Sequence, residues 1–453
     1  MRPPPVLTWS TTIFLACTCA EDTSPDLGLE EWELVEDLRL DANVEDFSAV
    51  WFFYVGPRGD IVVPERQDYR VRIYDSAGTP VATVGRSGEG PGEFQRVTAG
   101  LWAADTLVVY DLPLSRLTYF LLDGTLVRTV AVPYRTPNFG ASPQGRDTTF
   151  QIFNPEVIDD EGAMLGLAYT NVLVDGRMES GGQVVLRVAR DGTPRIVASP
   201  PQYDDERWMV TVSGFQSLVP FTFRPRRRFA RDGGRFLFAT ADQSTLDGTY
   251  TLTMLRPIGD TVFTRSHAYG GTPIPASAMD SAIAAIGSGS GRHDRARVLA
   301  SERAPAVYPP NDVTLGLDGT VWVELRPTDH GTPVHVVSET GDPIASLLLP
   351  VRSKIQQASR THVWVTETDL VDLTSVVRYR VVRGGDARGA GRLPPPDSYA
   401  GSLVRSVCVW TCDSPGSLSD MDTRVRLGSA SSLRRGTVGP HYCRNGDSIS
   451  LPG

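Results

Sequence analysis

Short apolar runs that alternate with polar positions fill most of the chain, and two stretches of them superpose without a gap. Residues 60–84 read DIVVPERQDYRVRIYDSAGTPVATV and residues 106–130 read TLVVYDLPLSRLTYFLLDGTLVRTV, a shift of 46 positions. Ile61, Val62 and Val63 fall on Leu107, Val108 and Val109, Arg70 and Val71 fall on Arg116 and Leu117, and Tyr74, Gly78 and Val81 fall on Phe120, Gly124 and Val127. Alternation with period two marks a strand with one buried face, and glycine between two such runs marks a tight turn. A repeat of this length holding several short strands has the form of a β-propeller blade. The pattern predicts a first blade with strands over 50–55, 61–64, 70–75 and 80–84, and a second over 97–132. The segment GRSGEGPGEF, residues 85–94, reads as the connection between them.

Weaker copies follow. A third blade is expected over 163–169 and 183–198, a fourth over 235–240, 249–256 and 261–266, and a fifth over 317–350. Val321-Trp322-Val323 recurs as Val363-Trp364-Val365, and the second copy leads into SVVRYRVV at 375–382. That sixth unit lacks an evident fourth strand. Trp32–Leu40 is expected to supply it, closing the ring and removing exposed edges. Between the fourth and fifth units, residues 274–305 predict one short amphipathic helix around Met279, Ile283 and Ile286, then a Gly/Ser break, capping one face of the ring. Residues 384–453 are rich in Gly, Ser and Arg with little periodicity, which predicts a disordered tail. The expected fold is therefore all-β: a six-bladed β-propeller over 30–383, with a short helical insertion and an atypical tail.

Composition and charge narrow the function. A formal charge of −9 sets the chain against a phosphate backbone, so nucleic acid is excluded as an expected partner. Val6 to Cys19 is apolar but short and broken by Thr8, Ser10, Thr11 and Thr12, which suits an export signal over 1–20 better than a membrane span. Ile13-Phe14-Leu15-Ala16-Cys17 resembles the lipidation signal of bacterial lipoproteins, so Cys17 and Cys19 are candidate lipid anchors. The five cysteines lie at 17, 19, 408, 412 and 443, and the body of the chain between them must be held without disulfides.

Candidate chemistry is sparse. Gly85 to Gly92 could cradle a phosphate with Arg86 as charge partner, but a strand rather than a helix follows, which favours a turn between blades. Arg86, Glu89 and Glu93 stay as ligand-binding candidates at that loop. Arg224, Arg226, Arg227 and Arg228, with Arg231, form the one dense basic cluster; guanidinium forks there suit carboxylates, sulfates or uronic acids, against the plainer reading of a solvated loop. The histidines at 267, 293, 330, 335, 362 and 441 never fall in metal-binding spacing, and packing or surface positions account for them. Cys408 and Cys412 with His441 and Cys443 have atypical zinc spacing, so a disulfide or free thiols are expected. No nucleophile motif of the G-x-S-x-G kind occurs, and no metal or cofactor is implied.

The runs at 70–94 and 116–130, with the DGTVWV and HVWVTETD segments, resemble the bacterial six-bladed β-propeller proteins related to the NHL repeat. The resemblance spans roughly residues 30–383 and implies the fold and an envelope, periplasmic or secreted location. It does not supply a reaction, because propellers serve binding proteins and enzymes alike. The expectation is an exported monomer that binds a protein, glycan or small-molecule ligand through one ring face, with the central funnel as default site. The alternative is a metal-dependent hydrolase or lyase in that funnel; propeller lactonases and amidating lyases hold such a metal with Glu, Asn, Asp or several His, and no set here matches. Intact-mass analysis of protein recovered from the cell envelope is expected to show a chain beginning at Cys17 when lipidated or Glu21 when cleaved; a chain still carrying Met1 would refute the export signal.

Overall fold

A computed structural model describes residues 29–132, 148–199, 209–218, 223, 228–286 and 291–383, apart from 104, 160, 175–176, 213–214, 233–234 and 257–258. The described chain is mostly strand, with few helices, in a propeller-like arrangement of antiparallel meander sheets. The export segment, Cys17, Cys19 and residues 384–453 lie outside the described residues.

The described chain opens with β1 (Glu30–Leu40) and the short helix α1 (Ala42–Glu45). A four-stranded sheet follows from β2 (Tyr54–Val55), β3 (Ile61–Glu65), β4 (Arg70–Tyr74) and β5 (Pro80–Val84). The next holds β6 (Val97–Ala103), β7 (Thr106–Asp111), β8 (Arg116–Phe120) and β9 (Leu126–Ala131). A third comprises β10 (Thr148–Ile158), β11 (Met164–Val174), β12 (Arg177–Val188) and β13 (Pro194–Ala198). After a hairpin of β14 (Met209–Val212) and β15 (Phe215–Leu218), a fourth sheet contains β16 (Arg228–Asp232), β17 (Arg235–Asp242), β18 (Thr249–Leu255) and β19 (Thr261–Ala268). Helices α2 (Ala276–Ala284) and α3 (Gly291–Glu302) precede β20 (Asp312–Leu315), β21 (Val321–Glu324), β22 (Thr332–Val337), β23 (Pro343–Leu349), β24 (Ser353–Ala358), β25 (His362–Thr368) and β26 (Thr374–Arg383). These last strands form one eight-stranded sheet in the order β20-β21-β22-β23-β1-β26-β25-β24.

The repeat read from the sequence is repeated in the backbone. Gly78 and Gly124, equivalent in the two copies, stand at φ 82° and 88° in the turns before β5 and β9, where a side chain would be strained. Asp75 opens the first turn and accepts the Thr79 backbone N–H, while Asp123 lies within the second, which opens at Leu121, and accepts that of Thr125.

Each sheet buries its apolar faces against the next one. Val62, Ile73 and Val84 of the first sheet pack with Leu107, Val109 and Phe120 of the second. Val108 and Leu117 on the other face of that sheet pack with Phe153, Ala168 and Leu186 of the third. Leu165 and Val185 then meet Phe236 and Phe238, Leu237 and Leu252 meet Val313 and Val321, and Trp322 and Val334 meet Ile355 and Val365. The succession returns to its start where Trp364 and Val376 pack with Val55, Ile61 and Tyr74.

β1 provides the closing ladder. It pairs antiparallel with β26 from Trp32↔Arg383 to Leu40↔Val376, and touches β23 in parallel through Glu30↔Ala345 and Glu31↔Ser346 only. Trp32 is buried between the two, 6.0 Å from the Trp322 ring, with the Arg383 guanidinium 5.0 Å from its own ring centre.

Several elements differ from the sequence reading. The third sheet has an inner strand, β10, that the pattern hid because bulges between Phe150 and Ile152 and between Pro155 and Val157 interrupt its alternation. The helical insertion is two helices rather than one. In α3 the buried positions are Ala296 and Ala300, which pack against Ala282 and Ile286 of the α2 segment, so no large apolar stripe announced it. No helix among the described residues is long and apolar enough to cross a membrane.

Replacing Trp32 by Ala is expected to lower the unfolding free energy by about 3–5 kcal/mol in urea titrations, because a large buried ring is removed where the ladder closes. Val35→Ala on the exposed side of the same strand should stay within about 0.5 kcal/mol.

Candidate functional site

In each antiparallel meander, the turn between the second and third strands and the connections to neighbouring sheets lie at the same end. That end carries the most irregular chain and the described cavities, and it is organised by acidic residues that close the second strands. Glu65, Asp111, Asp242 and Glu324 are each the last residue of β3, β7, β17 and β21, and Glu367 stands one before the end of β25.

Glu65 is fully buried. Its carboxylate accepts hydrogen bonds from Arg70 Nε at 2.5 Å, Arg72 Nε at 2.7 Å and the Ser48 backbone N–H at 3.0 Å. Burial alone would raise its pKa, but the two guanidinium groups and the Ser48 amide outweigh this and hold it below the usual carboxylate value. Asp111, at the equivalent repeat position, is buried as well and accepts from the backbone N–H groups of Gln95 at 2.8 Å and Leu114 at 3.2 Å. Glu65 thus ties the connection entering its sheet to β4, and Asp111 ties the corresponding connection to the turn before β8. A buried carboxylate is stable in such a place only because charge-assisted bonds replace its lost hydration.

The glycine-rich connection holds three of the sequence candidates together. Arg86 donates to Glu93 Oε1 at 2.8 Å, and the other Glu93 oxygen accepts from the Gly90 backbone N–H at 2.8 Å. Both contacts hold the Glu93 carboxyl below its usual pKa, the Gly90 amide foremost. Glu89 accepts from the Gln95 side-chain amide at 2.6 Å, while Arg116 donates to the backbone carbonyls of Glu89, Gly90 and Glu93. The loop is therefore latched by its own side chains, with the Arg86 guanidinium largely in solvent. Of the basic cluster, Arg224, Arg226 and Arg227 lie outside the described residues, and Arg228 begins β16 with its side chain likewise undescribed.

A cavity of about 260 Å³ opens between the fourth sheet and the β20–β23 strands. Phe223, Tyr250 and Tyr308 give it an aromatic wall, with Phe223 edge-on to Tyr308 at 5.3 Å. Arg326, in the turn between β21 and β22, lies 3.3 Å above the Tyr308 ring. It forms no ion pair among the described residues, and its planar fork is held by the ring with its N–H edge free. Thr240 and Asn311 add hydroxyl and amide groups, and Pro309, Pro310 and Pro327 stiffen the rim. Tyr308 is fixed from behind by Tyr269, whose hydroxyl donates to the Tyr308 carbonyl at 2.8 Å. Strands β17 and β18 on one side and β20 and β21 on the other supply part of the lining, and connections and turns supply the rest, so the cavity lies between two sheets.

Behind Tyr250 sit two histidines. The Tyr250 hydroxyl lies 3.5 Å from His335 Nδ1, and its ring is 5.4 Å from that of His267. Desolvation lowers the pKa of His335, and the neighbouring His267 lowers it further. Desolvation also lowers that of His267, against the opposing effects of the Gly341 backbone and Asp342. Burial raises the Tyr250 hydroxyl well above its ordinary value, so it stays a neutral donor. Among the described residues no three His, Cys, Asp or Glu side chains gather as a metal site.

The sequence reading missed Tyr308 and Arg326, which are isolated in the chain, and the terminal acids of the second strands. The acids had a signal: Glu65 and Asp111 occupy the same position in the two superposed copies.

No family model matches the chain, and no curated protein matches it. Solved structures of low sequence identity do. A candidate exported protein of Bacteroides fragilis aligns with a TM-score of 0.41 and 11% identity over 78% of this chain and 95% of its own. A member of the DUF4221 family from Bacteroides vulgatus gives 0.40 and 12% over 79% and 100%, and virginiamycin B lyase from Staphylococcus aureus gives 0.36 and 10% over 78% and 100%.

The depressed histidines set a pH dependence. In the unfolded chain they take up protons near pH 6.5, while in the folded protein they resist protonation until lower pH, so the unfolded state binds more protons in that window. Stability is therefore expected to fall as pH drops below about 6.5, and urea midpoints measured at pH 7.5 and 5.5 should differ less in His335→Gln than in the parent protein.

Proposed function

We propose that this chain is an exported, six-bladed β-propeller that serves as a ligand-binding module through the face carrying its inter-sheet connections. The six-blade reading treats the eight-stranded sheet as two blades, because β1 touches β23 through two residue pairs but follows β26 along nearly its whole length. Four further sheets of four strands complete the ring. The apolar segment at residues 6–19 supports export.

The observation that carries the binding reading is the cavity at Tyr308 and Arg326. Among the described residues its lining offers aromatic faces, hydroxyls, an amide and a guanidinium, and no carboxylate, imidazole or thiol. Such a set holds a ligand by stacking and by a charge-assisted hydrogen bond, and it does not supply a general base or a nucleophile. Its size and the Arg326 guanidinium suit a small ligand, or a side chain of a partner, that carries one carboxylate beside a flat apolar group.

Calorimetric titration with benzoate and phenylacetate, against the neutral benzamide, tests the reading. The carboxylates are expected to bind and benzamide not, and Arg326→Gln should weaken carboxylate binding by about tenfold or more, the value of one charge-assisted bond. Tyr308→Ala should do the same by removing the stacking face. Carboxylate binding that neither substitution alters would overturn the assignment, as would no binding at all.

A further inference from the structure

A second cavity, of about 380 Å³, lies on the same end of the sheets but between the first two of them, remote in sequence from Tyr308 and Arg326. It is lined by Trp51 from the connection after α1, by Arg66, Gln67 and Tyr69 from the turn between β3 and β4, and by Gln95 and Arg96 from the connection before β6. The Trp51 side is open to solvent, the residue being 66% exposed. Arg66 packs its guanidinium 5.4 Å from the Trp51 ring centre and 5.9 Å from that of Phe52.

The two superposed repeat copies separate what the turn needs from what it displays. Residues 65–70 and 111–116 trace the same turn, with an acid at the start, an arginine at the end, and a left-handed residue between, Tyr69 at φ 56° and Ser115 at φ 51°. The second copy builds it from Leu112, Pro113, Leu114 and Ser115, whereas the first carries Arg66, Gln67, Asp68 and Tyr69. A bulky aromatic is a poor choice for a left-handed position; Tyr69 rests partly on the apolar cluster between the two sheets and also lines the cavity. Local charge pairing does not account for the cations. Asp68, the acid on this turn, pairs with Arg70 at 3.0 Å, and neither Arg66 nor Arg96 forms an ion pair among the described residues.

We infer that this cavity is a binding site for an acidic oligosaccharide, a chain of uronate residues. The indole of Trp51 offers a flat apolar face for the C–H side of a sugar ring, and Tyr69 offers a second. The amides of Gln67 and Gln95 each donate and accept, which matches vicinal hydroxyl groups; Gln95 keeps its carbonyl for this while its NH₂ holds Glu89. Arg66 and Arg96 supply the charge for carboxylates, and stacking on Trp51 leaves the in-plane N–H edge of Arg66 available for a bidentate contact. The site stands apart from the carboxylate pocket proposed above and shares no residue with it.

The test uses the full chain and trigalacturonate as probe, with maltotriose as neutral control and a triglutamate peptide as acidic control. Trigalacturonate is expected to bind, to weaken as salt rises from about 50 to about 300 mM, and to lose about tenfold or more in affinity in Trp51→Ala and in Arg66→Gln. Arg326→Gln should leave it unchanged, which keeps this site separable from the other. Both tested residues are at least partly exposed, and matched thermal melts establish that the variants stay folded. The inference is overturned if trigalacturonate does not bind, if maltotriose binds as well as it does, if the peptide binds more tightly, or if Trp51→Ala and Arg66→Gln retain full affinity.

Discussion

No sheet in this protein can bury both of its faces by itself, and that constraint organises everything else. A four-stranded meander has two apolar sides and two unpaired edges, and in water it is marginal. Here Leu107 and Val109 point to one neighbouring sheet while Val108 and Leu117 point to the other, so each sheet is stable only as a layer between two more. The condition can be met for all of them at once only if the last layer meets the first. Trp364 and Val376 do so by packing on Val55, Ile61 and Tyr74. The interior then needs no cysteine, because the bulk of the stabilisation is apolar burial distributed over every interface.

A ring of this kind leaves one end of its sheets free to vary. The strands fix where each turn starts, and the buried acids at their tips fix where the incoming connection runs, as Glu65 does for Ser48 and Asp111 for Gln95. Side chains beyond those anchors can face the ends of the sheets. Both cavities draw on such positions: Arg326 in one turn, Arg66 and Tyr69 in another, and Tyr308 and Trp51 in connections. This follows the general division in which a rigid scaffold presents variable loops. Arg86 and Glu93 belong to the other category, since their ion pair and the Gly90 contact serve the course of the connection itself.

How much was legible in the sequence depended on how local each signal is. β3 to β5 and β7 to β9 were readable because alternation and turn glycines lie within a few residues of one another. The pairing of Trp32–Leu40 with the final strand was readable for a different reason: a unit short of a strand and an orphan strand at the other terminus complete each other. β10 was hidden by its bulges and Pro155, and α3 by an alanine seam that lacks the large apolar residues by which an amphipathic helix is recognised. The cavity at Tyr308 was not legible, since Tyr250, Tyr308 and Arg326 are far apart in the chain and only the juxtaposition of two sheets brings them together. Charge density pointed instead to Arg224–Arg228, of which 224–227 lie outside the described residues.

The ladder between Trp32–Leu40 and Thr374–Arg383 joins residues more than three hundred positions apart, which bears on how the molecule is made. Contacts of such separation form late, after most of the chain is available. A ribosome or a translocation channel delivers β1 before the strands of the other sheets and β26 after them, so the nascent protein passes through a stage with a stack of sheets and a gap in it. During that interval the edges of β23 and β26 are open to pairing with other chains. Closure of the ring therefore waits on β26, and any delay in its arrival becomes a window for aggregation.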